Sequence, residues 1–261
     1  MAKHKSCLLA AVMVLAETTF LPGQAKSTRL TFDVASVKPA KPTEAGPTVE
    51  VLPGGREYSA QNAPLKLIIS LMYKIPMRQI AGGPGWIDSD LWNINAKVTD
   101  SYNLDDLHTM FQNLLAEEFK LKFHKETRTG PIYALMVDKS GSKMKVSESP
   151  PDYQAPIVGA IEGFVGTRVS MKYLCWWLGQ ILERDERPVI DKTGLDRNYD
   201  FKLVFSPELP PNFSKENLPP ELFEHPSIFD ALKQQLGLKL ELQKGPVEYF
   251  VIDRVERPVD N

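Results

Sequence analysis

Two stretches of the chain share one order of apolar and polar positions. Leu104, Leu107, Phe111, Leu114 and Leu115 recur at helical spacing behind Asn103, a residue type that starts helices. Ile228 and Leu232 follow Ser227 in the same way, with Asp230 three residues on as an acidic variant of the capping box, and Gly237 supplies the left-handed stop. Beyond each helix, Leu121/Phe123 and Leu238/Leu240 alternate with polar residues, the period of a strand. A Gly-Pro pair follows each time, Gly130-Pro131 and Gly245-Pro246, and predicts a turn into a further strand.

The correspondence extends upstream. Tyr58–Lys66 faces Phe164–Lys172, each predicted as a short strand that runs into an apolar helix. Ala81–Val98 faces Pro188–Leu203, where a glycine turn leads into a strand carrying Trp92, Ile94 and Ala96 or Tyr199, Phe201 and Leu203. The unit strand, helix, strand, strand, helix, strand, strand therefore occurs twice, the mark of an internal repeat. The expected fold is α+β, with two related modules, each a small mixed or antiparallel sheet packed against two helices. The expected domains are residues 26–139 and 161–261, joined by a Gly/Ser/Pro-rich linker over 140–160. The stretch Ser206–Pro226 is a proline-rich insertion in the second half.

Two helices carry more apolar surface than one buried face uses. Leu65–Tyr73 is apolar almost all round. On the helix near 171–182, Met171, Leu174, Cys175, Leu178 and Leu182 form one face and leave Tyr173 and Trp176 directed away from it. The two helices are expected to pack against each other between the halves. The other reading makes Tyr173 and Trp176 a contact surface for a partner or ligand, and they are the only binding residues the sequence nominates.

The N-terminus bears on the compartment. A short basic segment, the ten-residue apolar run Cys7–Ala16 and the small-residue site Gly23-Gln24-Ala25 predict a signal peptide over residues 1–25. A membrane anchor is the weaker reading, because a span needs about 20 apolar residues. Removal of Lys3, Lys5 and Glu17 with that segment takes the formal charge from −2 to −3, and nothing in this balance suggests nucleic acid. Cys175 is then the remaining cysteine, so no internal disulfide is expected. It falls on an apolar helix face, where core packing is the better reading than a reactive thiol.

Candidate chemistry is thin. Asp191-Lys-Thr-Gly194 matches the tetrapeptide around the phosphorylated aspartate of ion-pumping ATPases, but no phosphate loop or metal-holding carboxylate cluster accompanies it. Its Lys-Thr-Gly also matches a penicillin-binding signature. The companions Ser140-Gly-Ser-Lys143 and Ser101-Tyr-Asn103 stand in the wrong order, and Ser140 lies in the linker. The corresponding station in the first half is Gly82-Gly-Pro-Gly85, which points to a shared turn. His108, His124 and His225 lie on different elements without ligand spacing; His108 is placed on a helix flank and His124 on a solvated strand face. The acidic pairs Asp105-Asp106 and Glu117-Glu118 suit a helix start and an exposed helix side. No catalytic residue, metal or cofactor is expected.

Over nearly the whole mature chain, FDVASVKPA, the Gly-Gly-Pro-Gly-Trp turn, FKLKFHKETR, RPVIDKTGLDRNYDF, SIFDALKQQLGLKLE and KGPVEYFVIDRVERP resemble a large uncharacterised family of secreted proteins known mainly from soil bacteria. Some relatives in that family look fused to membrane metallopeptidases of the beta-lactam-sensor type. That resemblance implies a sensory role, although this sequence carries no such fusion. Each half, above all Ala231-Leu232 through Leu236-Gly237-Leu238, is also similar to the short N-terminal module of secretins and TonB-dependent receptors, which docks envelope proteins onto one another. Together these imply a secreted or periplasmic, non-enzymatic binding or adaptor protein whose partner is an envelope protein or a cell-surface ligand. The alternatives are a secreted hydrolase acting on cell-wall or polysaccharide material and a ligand-sensing domain.

Overall fold

The computed structural model describes residues 29–44, 46–160, 163–182, 187–206 and 220–258. The predicted signal peptide and residues 207–219 of the proline-rich insertion lie outside the described residues.

The described chain is α+β, with three four-stranded sheets and a few helices. The first sheet is antiparallel, in the order β1 (Val34–Pro39), β5 (Leu91–Lys97), β3 (Glu57–Pro64), β2 (Thr48–Val51). Trp92, Ile94 and Ala96 alternate inward along β5 as their spacing predicts. Helices α1 (Leu65–Tyr73) and α3 (Leu104–Glu118) pack against it and each other, and α2 (Trp86–Ser89) is a single turn after the Gly-Gly-Pro-Gly run. Asn103 caps α3 by accepting the Asp106 amide at 3.0 Å.

The third sheet, also antiparallel, runs β7 (Lys145–Val146), β11 (Asn198–Leu203), β9 (Gly163–Ser170), β8 (Ile157–Ala160). Two of its strands, β7 and β8, come from residues read as linker. Helix α4 (Met171–Ile181) and α5 (Ile228–Ala231), prolonged by a π turn over Leu232–Leu236, accompany it. Ser227 caps α5 by accepting the Asp230 amide, and Gly237 ends the π turn at φ 66°.

The two outer sheets share one device. In β3 a bulge falls between Ala60 and Ala63, where Asn62 takes φ 53° and its amide donates to the Asn93 side chain at 2.9 Å. In the β9–β11 pairing the register shifts too; Arg168 takes φ 54°, and its amide donates to the Asp200 carboxylate at 2.8 Å. Asn93 and Asp200 each satisfy a donor that the bulge removes from its ladder. Asp200→Ala should therefore lower stability by about 1–2 kcal/mol, whereas Asp200→Asn, which keeps an accepting oxygen, should cost less than half of that. Urea midpoints of the three proteins check the order.

The middle sheet corrects the sequence reading. No turn forms at either Gly-Pro pair: β6 (Lys122–Val137) and β12 (Leu238–Arg254) are each one continuous strand, paired antiparallel along their length. Gly130 stands opposite Gly245 in the ladder, where a Cβ on Gly245 would lie 2.6 Å from Cδ1 of Ile132. The prolines are tolerated because the outer strands stop short of them. β10 (Val189–Asp191) joins β6 in parallel only from Tyr133 onward, and β4 (Ile80–Gly82) joins β12 in parallel only from Phe250.

Two clusters of buried side chains result. One gathers around Ile68, Ile94, Phe111 and Leu115, the other around Leu174, Leu178, Leu203 and Leu232. The long strands serve both: Phe250 and Ile252 of β12 lie in the first, and Tyr133 and Leu135 of β6 in the second. Among the described residues no helix is long and apolar enough to cross a membrane.

Candidate functional site

Helices α1 and α4 do not pack face to face as expected. The buried face of α1 is used by α3 and β3, that of α4 by β10 and β9. They come together where α1 ends. Lys74, the residue after α1, takes the left-handed conformation at φ 54°, and its side chain turns back so that Nζ donates to the Leu71 carbonyl at 2.9 Å. That fold-back sets the amine 5.7 Å from the centre of the Tyr173 ring and 5.5 Å from that of Trp176. Tyr173 and Trp176, 5.4 Å apart, are thus brought together at one point, both half-buried.

Two residues that the sequence reading did not nominate complete the site. His108, placed from sequence on a flank of α3, is 6% exposed, with Nδ1 2.8 Å from Lys74 Nζ and Nε2 3.0 Å from the Tyr58 hydroxyl. Its spacing to Leu104, Leu107 and Phe111 holds the missed signal, since it shares their helix face. Tyr58 reaches it from β3 and is itself held by an edge contact with Phe111, their centroids 5.1 Å apart.

The electrostatics follow from this placement. Burial pulls the Lys74 amine down to about 7; Asp105 at the start of α3 opposes the shift, and Lys172 on α4 adds to it. No carboxylate lies within ion-pair distance of Lys74 among the described residues. Burial, and then the neighbouring Lys74, push His108 far below the usual histidine range, so the imidazole stays neutral. Burial raises the hydroxyl of Tyr58, and that of Tyr173 to about 12. A protonated Lys74 needs an acceptor at Nδ1 of His108, which places the imidazole proton on Nε2, facing the Tyr58 oxygen.

These groups open onto a cleft of about 410 Å³, walled by Tyr58, His108, Tyr153, Tyr173 and Trp176, with Glu50 at its border. Lys74 and Trp176 also line a second hollow of about 220 Å³ that reaches Cys175 and Asp191. Few polar groups converging among aromatic walls are the arrangement found in small-molecule sites, where strongly shifted titratable groups also concentrate.

The other residues weighed from sequence fall elsewhere. The Asp191 carboxylate accepts the Thr193 amide at 2.9 Å and its hydroxyl at 2.7 Å, and Gly194 takes φ 70°, so Asp-Lys-Thr-Gly forms a turn at the end of β10. Cys175 is buried in the second cluster, with its thiol raised by burial and by Asp191. His124 is exposed on β6 between Asp253 and Glu126, whose hydrogen bonds raise it. Among the described residues no group of histidine, cysteine and carboxylate side chains is arranged to hold a metal ion.

Fold and site together define an α+β protein with an aromatic cleft around a single unpaired amine. Residues 66–255 match the model of the family described as protein of unknown function, DUF3738, and the chain belongs to that family. No curated protein and no solved structure matches the chain significantly.

Proposed function

We propose that this is a secreted or periplasmic, non-enzymatic binding protein whose ligand seat is the cleft between Lys74, His108, Tyr173 and Trp176. The observation that carries the reading is the placement of the Lys74 amine against two aromatic faces in an open cleft with no carboxylate to neutralise it. A surface built only for stability would pair that amine or leave it in water. The rings offer stacking area at low conformational cost, which suits a small planar ligand.

Export rests on the basic and apolar segment that ends at Ala25. The reading as two related modules, 26–139 and 161–261, draws support from the bulges: Asn62 and Arg168, with their partners Asn93 and Asp200, occupy corresponding places in the two halves. Lys120 and Gly237, both left-handed at a helix end, correspond as well.

Calorimetric titration with 2-naphthylmethanol, a planar aromatic alcohol, tests the seat. Saturable binding is expected, and Tyr173→Ala and Trp176→Ala should each weaken it about tenfold, equivalent to about 1.4 kcal/mol. Equal affinity in all three proteins would place the ligand elsewhere. Protein recovered from outside the cytoplasm should begin at Lys26 on N-terminal sequencing.

A further inference from the structure

We propose that Lys74 captures a planar aldehyde ligand covalently, as a reversible imine, in the cleft it shares with Tyr173 and Trp176. The inference rests on the reading of that cleft as the ligand seat and adds the chemistry of what is held there.

The argument begins with directions at nitrogen. A neutral amine has two N–H bonds, and two acceptors stand ready for them, the Leu71 carbonyl at 2.9 Å and His108 Nδ1 at 2.8 Å. The lone pair is left for the remaining direction, and the one other hydrogen-bond contact at Nζ among the described residues is to Nε2 of the same imidazole at 3.4 Å. The ring centres of Tyr173 and Trp176 stand 5.7 and 5.5 Å from Nζ, and both residues line the cleft. A lysine held half-buried, without a carboxylate partner, is in the setting that keeps amines nucleophilic near neutral pH. A planar carbonyl compound stacked on either ring would bring its carbonyl carbon toward Nζ.

The step balances without any oxidant or reductant. The Nζ lone pair forms the C–N bond while the carbonyl π pair moves to oxygen. His108 Nδ1 stays neutral and holds the nitrogen in place by accepting one of its N–H bonds, while solvent in the open cleft carries one proton from nitrogen to the alkoxide, giving the carbinolamine, and the second to its departing hydroxyl. The carbinolamine then loses water, and the product is R–CH=N–Lys74 plus one water. Addition of water reverses it. The charged and titratable groups facing the amine are His108 and Asp105 on α3, Lys172 and Tyr173 on α4, Tyr58 on β3 and Glu50 on β2. His108 is a positioning residue in this scheme.

The test treats the intact protein at pH 7.5 with limiting 2-naphthaldehyde and cyanoborohydride, followed by peptide mapping. Lys74 should carry at least tenfold more adduct than any other lysine, and excess 2-naphthylmethanol should suppress that labelling. Lys74→Met should lose the adduct while its circular dichroism shows the fold kept. His108→Gln should slow labelling about tenfold even at saturating aldehyde, a change in rate that weaker binding alone would not produce. If the alcohol binds and Lys74 is labelled no faster than surface lysines, the imine inference fails and the cleft reading survives. If the alcohol does not bind and gives no protection, the cleft reading fails and this inference falls with it.

Discussion

Replacing Lys74 with methionine is expected to remove a rise in stability that the unmodified protein shows between pH 7 and about 9.5. An unfolded chain holds the lysine proton to about 10.4, whereas the folded protein releases it near 7. Across that interval the unfolded state binds more protons, so raising the pH favours the folded state. The contribution is smallest below pH 7, where both states are charged and the folded one bears the full cost of a poorly solvated ammonium. Allowing for the water that reaches this half-buried group, the rise should be on the order of 3 kcal/mol.

The neighbouring tyrosines work the other way at higher pH. The hydroxyls of Tyr58, Tyr73 and Tyr173 are raised by burial, so the unfolded chain ionises them first and stability falls above about 10. That loss is common to both proteins and cancels in the comparison. Methionine fills similar space without charge, so the variant should be the more stable of the two at pH 6. Urea midpoints at pH 6, 7.5 and 9.5 decide the matter; parallel pH profiles would mean that Lys74 is solvated in the folded state.

Gly237→Ala should be the most damaging single-methyl change in the second half. At φ 66° the position is left-handed, which costs a residue with a Cβ about 1–2 kcal/mol. The added carbon would also overlap the Gly141 carbonyl oxygen, which is backbone and cannot swing aside. Gly141 belongs to a turn tied to the same place, since the Lys143 amide donates to the Leu236 carbonyl and the Asp138 amide to that of Gly237. Forcing them apart adds about 1–3 kcal/mol, so a total loss of about 2–5 kcal/mol is expected. Gly194→Ala is the control. It shares the left-handed conformation at φ 70° but has open space around its Cβ, so only the first cost applies. Urea midpoints showing equal losses would mean that the Gly141 turn yields freely.

Local signals in the chain were readable where the physics was local. Asn103, Ser227 and Gly237 act through hydrogen bonds and dihedral angles within a few residues of themselves, and each does in the structure what its type predicts. The alternation of Trp92, Ile94 and Ala96 likewise needs only one buried sheet face. Gly130-Pro131 misled because its role is set by Gly245, more than a hundred residues away. As isolated dipeptides both pairs read as turns; facing each other they continue a ladder, with Gly245 leaving room for the Ile132 side chain.

The site divides in the same way. Tyr173 and Trp176 could be singled out because an apolar helix face cannot hold them. Lys74 could not, since its character comes from a left-handed residue folding the side chain inward onto a histidine of another helix, itself bonded to Tyr58 of β3. The apolar company of His108 on α3 was the one sequence clue, and it indicated burial without naming the partners that burial would supply.

The long paired strands also dictate an order of events. The first cluster is completed by Phe250 and Ile252, and among the described residues β4 is paired with β12, so a chain made from its N-terminus must wait for β12 before that core can close. Assembly is thus postponed until that strand has emerged, and once both clusters are locked by the same ribbon they should melt as a single body.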